Sequence, residues 1–530
     1  MRRFYIVLVI GFLSISNTIY AQDSLQVDPL TKVYESGVSK LNDGKYRDAL
    51  LEFDRVLNSG FDNKEAYVKR GMTHYFLKDY DKAKSDFDEA VKGRINTAEL
   101  FLFRGKTKYQ LKDYKGASFD LEKAFSMGAK DAEGVFLMGN AQFLSENYQA
   151  SITSYNRALA EGYKDEVIYN NLGKAKYNIG QESNSITDFS KALEINAEYT
   201  KALENRAEAY YKSEMWKEAA GDFTSLLKKG SSNGEYLLKA GTSFFKIKDY
   251  KSASDNLAQA IEKGLRDYEN YVMLGLSYYH QEKYSEATKP LQSASSSEVS
   301  AEVWAALGTS LFKTQRYNEA VTPLTKAIDG GNQSMELFWY RGFSKHKLNQ
   351  EEGVLQDLKT ATDKGLNDPE IWFVLGNLQF KGEDYSNAIS AYSNAEKAGY
   401  KEAVLYNNRG KAKFILDKDK TCIADFSKAL EIDKDYVKAM ENRAEAYLKY
   451  KQWKEAAADY MALIAKGKNE GEYFQNAGLS YYELKDYEGA SKNLSLAIEK
   501  GLRNSDNYLK LGLSYYNLNQ YTEAIKPLQN

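Results

Sequence analysis

The stretch Gly471–Asn504, GEYFQNAGLSYYELKDYEGASKNLSLAIEKGLRN, contains the pattern on which the fold depends. Its apolar residues recur at spacings of three and four in two blocks, which predicts two amphipathic helices of about three turns each. Lys485, Asp486 and Tyr487 stand between the two blocks and indicate a short turn. The stretch therefore predicts one helical hairpin, in which a first helix is followed by a second helix.

The same pattern recurs along almost the whole chain. Gly478 is one of fifteen small residues that recur at intervals of 34 residues, with a single interval of 33. We number each repeat so that this residue holds position 8, which makes Leu30 the first residue of repeat 1. The fifteen small residues are Gly37, Gly71, Gly105, Gly139, Gly173, Ala207, Gly241, Gly275, Gly308, Gly342, Gly376, Gly410, Ala444, Gly478 and Gly512. So many copies in phase indicate one repeat array and not several unrelated domains.

Four further positions of the repeat have a strong residue preference. Position 17 is aromatic in twelve of fifteen repeats, and position 20 is alanine in eleven of fifteen. Position 27 is alanine in eleven of fourteen repeats, and position 31 is glycine in ten of fourteen. Small residues at positions 8 and 20 allow the two helices to approach closely. Glycine at position 31 suits the left-handed backbone conformation that ends a helix.

This pattern resembles the tetratricopeptide repeat family, which has a small residue at position 8 and alanine at positions 20 and 27. Trp304 and Trp372 occupy position 4, where the family prefers an aromatic residue. One departure is the proline that the family has near position 32, which glycine at position 31 largely replaces here. The resemblance covers residues 30–530 and implies an all-α fold, a right-handed α-solenoid of about fifteen helix-turn-helix units. It also implies a function in binding other proteins.

A second, longer period indicates an internal duplication. Residues 166–230 and 403–467 match at more than half of their positions with an offset of 237 residues. Repeats 2–8, about residues 64–300, and repeats 9–15, about residues 301–530, therefore form two copies of a seven-repeat cassette. The last repeat stops at Asn530, part-way through its second helix. Two expectations follow: self-association through this end of the array, or an activity in a longer protein beyond residue 530.

The first residues have the pattern of a secretory signal peptide. Arg2 and Arg3 precede an apolar run from Phe4 to Leu13, and a small residue, Ala21, stands near the expected cleavage site. The apolar run is too short to span a bilayer as an anchor. We therefore predict a signal peptide at residues 1–21, a short leader at residues 22–29, and no transmembrane anchor in the mature chain. The predicted location is the bacterial periplasm or the extracellular space.

Composition argues against several classes of function. The chain has 72 Lys and Arg residues against 74 Asp and Glu residues, with both signs mixed throughout. Nucleic-acid binding is not expected, because a basic stripe is needed to displace counterions from phosphates. The three histidines, His74, His280 and His346, lie in distant repeats without a second metal ligand nearby. Cys422 replaces the small residue at position 20 and should be buried. We predict no enzyme activity, no catalytic or metal-binding residue and no cofactor.

The candidate binding residues are asparagines and lysines at repeated positions of the first helices, which in this family line the concave face. An asparagine side chain both donates and accepts hydrogen bonds, so a row of them can hold the backbone of an extended peptide without reading its sequence. An alternative is that these asparagines connect neighbouring helices. The candidate residues are Asn140, Asn171, Lys201 and Asn205 in the first cassette and Asn377, Asn408, Lys438 and Asn442 in the second.

These positions are similar to part of the carboxylate clamp of the family, which binds the C-terminal carboxylate of a partner with Lys, Asn and Arg. Two cations of the clamp are absent here. Phe136 and its duplicate Phe373 stand in place of the lysine, and Asn205 and Asn442 stand in place of the arginine. We therefore predict a groove for an uncharged backbone, with a co-chaperone that binds C-terminal carboxylates as an alternative. The predicted function is a scaffold in the bacterial envelope that binds a partner protein or an extended peptide.

Overall fold

A computed structural model of the chain describes residues 28–294, 299–416 and 420–530. Within these ranges the chain forms thirty α-helices and no β-strand, as the spacing of the apolar residues predicts. The predicted signal peptide, residues 1–21, and residues 22–27 of the predicted leader lie outside the described residues. The chain divides into two compact units, Met1–Ile247 and Lys248–Asn530. The division falls inside repeat 7, whereas the two cassettes are defined by sequence similarity.

Unit 1 contains thirteen helices in its described part, each about three turns long. Odd-numbered helices are the first helices of the repeats, and even-numbered helices are the second helices. The helices are α1 (Pro29–Asn42), α2 (Tyr46–Asn58), α3 (Glu65–Phe76), α4 (Tyr80–Lys92), α5 (Ala98–Gln110), α6 (Tyr114–Ser126), α7 (Ala132–Leu144), α8 (Tyr148–Ala160), α9 (Glu166–Asn178), α10 (Glu182–Ile195), α11 (Thr200–Lys212), α12 (Trp216–Lys228) and α13 (Gly234–Lys246).

Unit 2 contains seventeen helices in its described part, with the same alternation. They are α14 (Tyr250–Glu262), α15 (Tyr268–His280), α16 (Tyr284–Ser293), α17 (Ala301–Lys313), α18 (Tyr317–Asp329), α19 (Met335–Lys347), α20 (Val354–Asp363), α21 (Pro369–Lys381), α22 (Tyr385–Ala398), α23 (Ala403–Leu416), α24 (Thr421–Ile432), α25 (Val437–Lys449), α26 (Trp453–Ala465), α27 (Gly471–Glu483), α28 (Tyr487–Glu499), α29 (Ser505–Asn517) and α30 (Tyr521–Gln529).

Consecutive helices pack against each other within each unit, and first helices of neighbouring repeats also contact one another. In unit 1, α5 contacts α7, α7 contacts α9, and α9 contacts α11. In unit 2, α21 contacts α23 and α23 contacts α25 in the same way. The first helices therefore form a layer of their own, and side chains at positions 5, 6 and 9 of neighbouring repeats come together on it.

Position 8 is small because a large apolar side chain at position 24 of the second helix lies against it. A Cβ atom added to Gly139 would lie 2.7 Å from the ring of Tyr155, and one added to Gly376 would lie 2.7 Å from the ring of Tyr392. Atoms this close would overlap, so the ring occupies the space that a side chain would need. Both tyrosines are fully buried. In these two hairpins the close approach that the sequence predicts is therefore an approach of glycine to a ring.

Two backbone positions of the repeat are left-handed. Glycine at position 31 has this conformation after the second helix, as predicted, with φ 92° at Gly128 and 101° at Gly501. The turn between the helices has it as well, at position 15, with φ 64° at Lys78 and 57° at Glu214. The sequence did not predict the second case, because position 15 carries glycine only at Gly44 and Gly180.

Ion pairs between an arginine and a buried aspartate join the two helices of six repeats. An arginine at position 7 donates two hydrogen bonds to an aspartate at position 23, as Arg104 does to Asp120 at 2.7 Å from both Nε and Nη2. Where position 23 is proline inside the second helix, position 7 is leucine. The pairs are Arg70–Asp86, Arg104–Asp120, Arg206–Asp222, Arg341–Asp357, Arg409–Asp425 and Arg443–Asp459.

The first helix begins one residue earlier than the sequence analysis places it. Asp28 caps α1 by accepting a hydrogen bond from the Leu30 N–H at 2.8 Å, and Pro29 is the first helical residue. Proline is favoured there because its missing N–H would have no partner at a helix start. The first helix of repeat 1 therefore includes Pro29. Within the described ranges, no helix has the length and apolar character needed to cross a membrane.

The last helix, α30, exposes apolar side chains. Tyr521 is 56% exposed, Ile525 is 55% exposed and Leu528 is 46% exposed. At the duplicate positions of α16, Thr288 and Leu291 are buried, and α16 packs against α17. Self-association through this part of unit 2 stays a prediction.

Candidate functional site

A cleft of about 630 Å³ lies in unit 1, on the layer of first helices. Its lining comes from the first helices of four consecutive repeats, α5, α7, α9 and α11, together with the residue that caps α11. No second helix contributes to it. The lining residues are Tyr109, Phe136, Leu137, Asn140, Phe143, Leu144, Val167, Asn170, Asn171, Lys174, Tyr199, Lys201, Glu204 and Asn205. The four candidate residues of the first cassette are all among them.

The asparagines of the cleft form a chain of hydrogen bonds that begins in the core. The hydroxyl of Tyr155 donates to Asn140 Oδ1 at 2.8 Å, and Asn171 Nδ2 donates to the same oxygen at 3.0 Å. Asn170 Nδ2 donates to Asn171 Oδ1 at 3.2 Å, and Asn205 Nδ2 donates to Asn170 Oδ1 at 2.8 Å. We call these five residues the asparagine array. It connects three consecutive repeats through side chains alone.

The array includes two residues that the sequence analysis missed, Asn170 and Tyr155. Asn170, at position 5 of its repeat, is buried. Its amide connects Asn171 to Asn205, since it donates to Asn171 and accepts from Asn205. Tyr155 replaces the phenylalanine or leucine that most repeats have at position 24. The available signal was that asparagine at position 9 occurs only twice, each time with tyrosine at position 24 of the same repeat. Contacts between helices, the alternative for the asparagines, are therefore part of their structural role.

Tyr155 is a fixed hydrogen-bond donor. Burial raises the pKa of its hydroxyl far above the ordinary value, so the group keeps its proton at any physiological pH. Its ring lies against Gly139, directly before Asn140 in the sequence, and is fully buried. A buried ring has little rotational freedom, so the Asn140 amide is held in one orientation. The array is thereby anchored to the hydrophobic core.

The array does not consume all the hydrogen-bonding capacity of its amides. Each asparagine offers two N–H donors and an oxygen with two lone pairs. Within the part of the chain that the structure describes, Asn205 Oδ1 accepts no hydrogen bond, and Asn171 uses one of its two donors. Both residues line the cleft and are partly exposed. The cleft can therefore offer donors and acceptors to a bound molecule at fixed places.

Aromatic and aliphatic side chains form much of the remaining lining of the cleft. Phe136 stands where the carboxylate clamp of the family has a lysine, and its ring stacks on that of Tyr163 with 4.6 Å between the centroids. Leu137, Phe143 and Val167 add further apolar surface. Two cations of the clamp are thus replaced by an aromatic ring and an amide.

Three charged residues stand in the lining. Lys174 and Lys201 are exposed, and Glu204 is half-buried on the same helix as Lys201. None of the three forms an ion pair with another residue in the described ranges. Their charges are therefore available to a molecule in the cleft.

Unit 2 repeats the array with the same hydrogen bonds. Tyr392 donates to Asn377 at 2.8 Å, Asn408 donates to Asn377 at 3.1 Å, Asn407 donates to Asn408 at 3.2 Å, and Asn442 donates to Asn407 at 2.7 Å. These are the four duplicated positions and Tyr392, the duplicate of Tyr155. Lys438 lies on the same helix as Asn442 and is exposed. The structure thus brings three of the four predicted residues of the second cassette into one network.

The neighbourhood of the second array differs at a few positions. Phe373 stacks on Tyr400 at 4.4 Å, as Phe136 does on Tyr163. His346 stands at the duplicate position of Tyr109, and burial lowers the pKa of its imidazole. Lys381 stands at the duplicate position of Leu144 and pairs with Glu351. The hydrogen-bonded array is therefore kept, while residues around it have changed.

The remaining chemically active residues lie apart from both arrays. Cys422 is buried as predicted. His74 is buried between Asp79 and Asp86, and burial lowers the pKa of its imidazole. Across residues 28–294, 299–416 and 420–530, no three His, Cys, Asp or Glu side chains are grouped so that they could hold a metal ion.

Models of the tetratricopeptide repeat match the chain at three places. One matches residues 64–92 and residues 167–199, and a second matches residues 506–530. These segments are parts of repeats in the fifteen-fold register, and each folds into the helical hairpin or part of it. The chain is a tetratricopeptide-repeat protein. A comparison with curated protein sequences found no match to the chain.

Several solved structures are similar to this tetratricopeptide-repeat protein at low sequence identity. The APC/C hetero-tetramer Cut9–Hcn1 aligns at 16% identity over 92% of this chain and 96% of that chain, with a TM-score of 0.25. The Naa15/Naa10 complex bound to HypK-THB aligns at 10% identity over 95% and 93%, with a TM-score of 0.36. A crystal structure of MamA aligns at 25% identity over 30% and 93%, with a TM-score of 0.28. Assignment to the family rests on the repeat models and the repeat itself.

Proposed function

We propose that this protein is a scaffold that holds extended segments of partner polypeptides against its two asparagine arrays. The observation that carries the proposal is the array of unit 1, whose asparagines line a cleft formed by the first helices of four repeats and by Tyr199. The repeat family supports a role in protein interaction in general. The extended peptide as ligand is the more specific part of the proposal.

The chemistry of the cleft fits a peptide backbone. An extended backbone presents alternating N–H donors and C=O acceptors, and each buried group needs a partner. Asn205 Oδ1 can accept from a ligand N–H, and the second N–H of Asn171 can donate to a ligand carbonyl. Apolar side chains of the ligand can pack on Leu137, Phe143 and Val167. Such binding depends on the backbone and on the apolar side chains of the peptide more than on a precise sequence.

The array also lowers the entropic cost of binding. Binding normally loses affinity when flexible side chains must become ordered at the interface. Asn140 and Asn171 are already ordered by their bonds to Tyr155 and to each other, and Asn205 is ordered by its bond to Asn170. Each therefore loses little further freedom when a ligand binds.

The place of action that we propose is the bacterial envelope. Support comes from Arg2, Arg3 and the apolar run from Phe4 to Leu13, the pattern of an exported protein. A partner there would be a component of an envelope or secretion machine, or an extended polypeptide in transit. The absence of an enzymatic role is part of the same proposal, since the apolar and amide groups of the cleft suit binding.

The test is equilibrium retention of a randomised pool of nine-residue peptides on the immobilised full chain. Wild-type protein should retain the pool, and the double variant Asn171→Ala with Asn408→Ala should lose about tenfold in affinity, which corresponds to about 1.4 kcal/mol. The matched control is Asn256→Ala with Asn493→Ala. These duplicate asparagines lie on second helices and donate within their own helices, to the carbonyls of Ser252 and Gly489 at 2.8 Å. Equal retention by all three proteins would refute the proposal.

A further inference from the structure

The two arrays are nearly identical, but the carboxylate beside each has a different environment. Glu204 lines the cleft of unit 1, and Glu441 is its duplicate in unit 2. Each stands one residue before the last asparagine of its array, Asn205 or Asn442. Each is half-buried. A difference in their partners therefore changes the charge that a ligand meets at the same place.

In unit 2 the carboxylate is satisfied within the protein. Lys468 Nζ lies 2.7 Å from Glu441 Oε1, and the Tyr473 hydroxyl donates to the same oxygen at 2.6 Å. Burial by itself would raise the pKa of Glu441, but the hydrogen bonds from Lys468 and Tyr473 outweigh it and lower the pKa. The carboxylate is thus ionised and its charge is neutralised by a cation of the same chain.

In unit 1 the tyrosine is kept and the cation is not. Tyr236 duplicates Tyr473, whereas Ser231 stands in place of Lys468. Within the described ranges no lysine or arginine nitrogen lies within 4 Å of the Glu204 carboxylate, although Lys201 is on the same helix. Glu204 therefore presents an unneutralised negative charge at the edge of the cleft.

We propose that Glu204 determines specificity in the unit 1 cleft by binding a lysine or arginine side chain of the ligand, whereas Lys468 fills that place at Glu441 in unit 2. The inference rests on the proposed function, since it concerns the polypeptide held by the array. Lys174 and Lys201 of unit 1 are duplicated by Lys411 and Lys438, and Lys381, which unit 2 has in place of Leu144, is paired with Glu351. Unit 1 therefore prefers a basic ligand residue, and unit 2 has no such preference.

The size of the preference follows from the exposure of the pair. A carboxylate that is half-buried gains more from a cation than one in open water, but solvent and salt still screen it. A charge-assisted hydrogen bond to Glu204 adds to the attraction. We expect about a threefold to tenfold preference for lysine over glutamine at low salt, and a smaller one at high salt.

The experiment uses three pools of randomised nine-residue peptides with lysine, glutamine or glutamate fixed at the centre. Unit 1 is observed in the full chain with Asn408→Ala and Asn442→Ala, and unit 2 is observed with Asn171→Ala and Asn205→Ala. The unit 1 protein should retain the lysine pool best. Adding either Glu204→Gln or Ser231→Lys should abolish that preference while the glutamine pool is still retained.

A reciprocal substitution in unit 2 tests the same idea without relying on variants that could disturb the folding of unit 1. Adding Lys468→Ser to the unit 2 protein removes the internal cation and should create a preference for the lysine pool. Equal retention of the three pools by the unit 1 protein would overturn the role of Glu204. Failure of both proteins to retain any pool would instead refute the proposed function, so the two failures are distinguishable.

Discussion

The Tyr155 hydroxyl donates a hydrogen bond of 2.8 Å to Asn140 Oδ1, and this bond connects the core of a hairpin to the surface of the cleft. Tyr392 makes the same bond to Asn377 at 2.8 Å in unit 2. In both cases the ring lies against the glycine at position 8, and the asparagine follows that glycine in the sequence. One residue therefore fills the core and orients the first member of the array.

Tyr155→Phe removes this bond without changing the shape of the ring. Five repeats already have phenylalanine at position 24, so the hairpin should fold with unchanged helix content. We expect the free energy of unfolding to fall by about 1 kcal/mol, the usual contribution of one hydrogen bond. Retention of the randomised peptides by unit 1 should also weaken, because Asn140 becomes less ordered. Chemical denaturation and peptide retention measure the two effects.

The matched control for this change is Tyr75→Phe, in a repeat outside the cleft, where the structure gives no side-chain hydrogen bond to the hydroxyl. Peptide retention should be unchanged in the control. If Tyr155→Phe retained peptides as well as wild type does, the orienting role of the hydroxyl would be wrong.

Lys78 at position 15 has a left-handed backbone, with φ 64°. This conformation costs a residue with a Cβ roughly 1–2 kcal/mol, and asparagine tolerates it better than most. Asn349 and Asn519 already occupy the same position with φ 56° and 62°. We expect Lys78→Asn to raise the free energy of unfolding by about 0.5 kcal/mol. The reverse change, Asn349→Lys, should lower it by a similar amount in urea denaturation.

Asp188 is a buried carboxylate that lacks the arginine found in six other repeats. Leu172 stands at position 7 of its repeat, and its cation is Lys176, with 2.6 Å between Nζ and Oδ2. Burial raises the pKa of Asp188 above its ordinary value of 3.8, and Lys176 offsets part of this. The proton is therefore held more tightly in the folded chain than in the unfolded chain.

The raised pKa of Asp188 determines how the free energy of unfolding depends on pH. A carboxyl with a raised pKa favours folding below its ordinary pKa, and that contribution is lost as the pH rises through the folded value. From about pH 4 to about pH 7, the unfolding free energy of wild type should therefore fall relative to that of Asp188→Asn. A constant difference between the two proteins over this range, measured by denaturation at each pH, would contradict the interpretation.

Asp425, the duplicate of Asp188, should respond differently to the same change. Arg409 donates to both of its oxygens, at 3.0 Å and 2.7 Å, and both residues are buried. Asp425→Asn leaves a buried guanidinium with one carboxylate fewer, and breaking such a pair costs about 3 kcal/mol. Denaturation at neutral pH should show a much larger loss for Asp425→Asn than for Asp188→Asn. Similar losses would mean that Arg409 contributes little.

The hairpins could be predicted from the sequence because their determinants are local. Apolar spacing within each helix, Gly139 and its counterparts at position 8, and glycine at position 31 act over a few residues or across one hairpin. The left-handed residue at position 15 escaped prediction, since lysine and glutamate give no sign of it. There the surrounding structure imposes the conformation on residues that do not favour it.

The site was predictable only in part, for a physical reason. Asn140, Asn171 and Asn205 could be placed on first helices by their position in the repeat. Their mutual hydrogen bonds depend on how far neighbouring repeats are apart, which one repeat does not reveal. Asn170 and Tyr155 were missed because positions 5 and 24 usually hold packing residues, so a polar role there becomes visible only from the contacts.

The most direct test of a binding site on the asparagine array is to locate a bound polypeptide by crosslinking. A photo-reactive benzoylphenylalanine replaces Leu144, which lines the cleft and is 48% exposed, or Phe119, which is 65% exposed on the second helix α6. After irradiation with the randomised peptides, the protein labelled at position 144 should crosslink to them, and Asn171→Ala should reduce that yield. The protein labelled at position 119 should not crosslink. Crosslinking at position 119 with none at position 144 would contradict a binding site on the asparagine array.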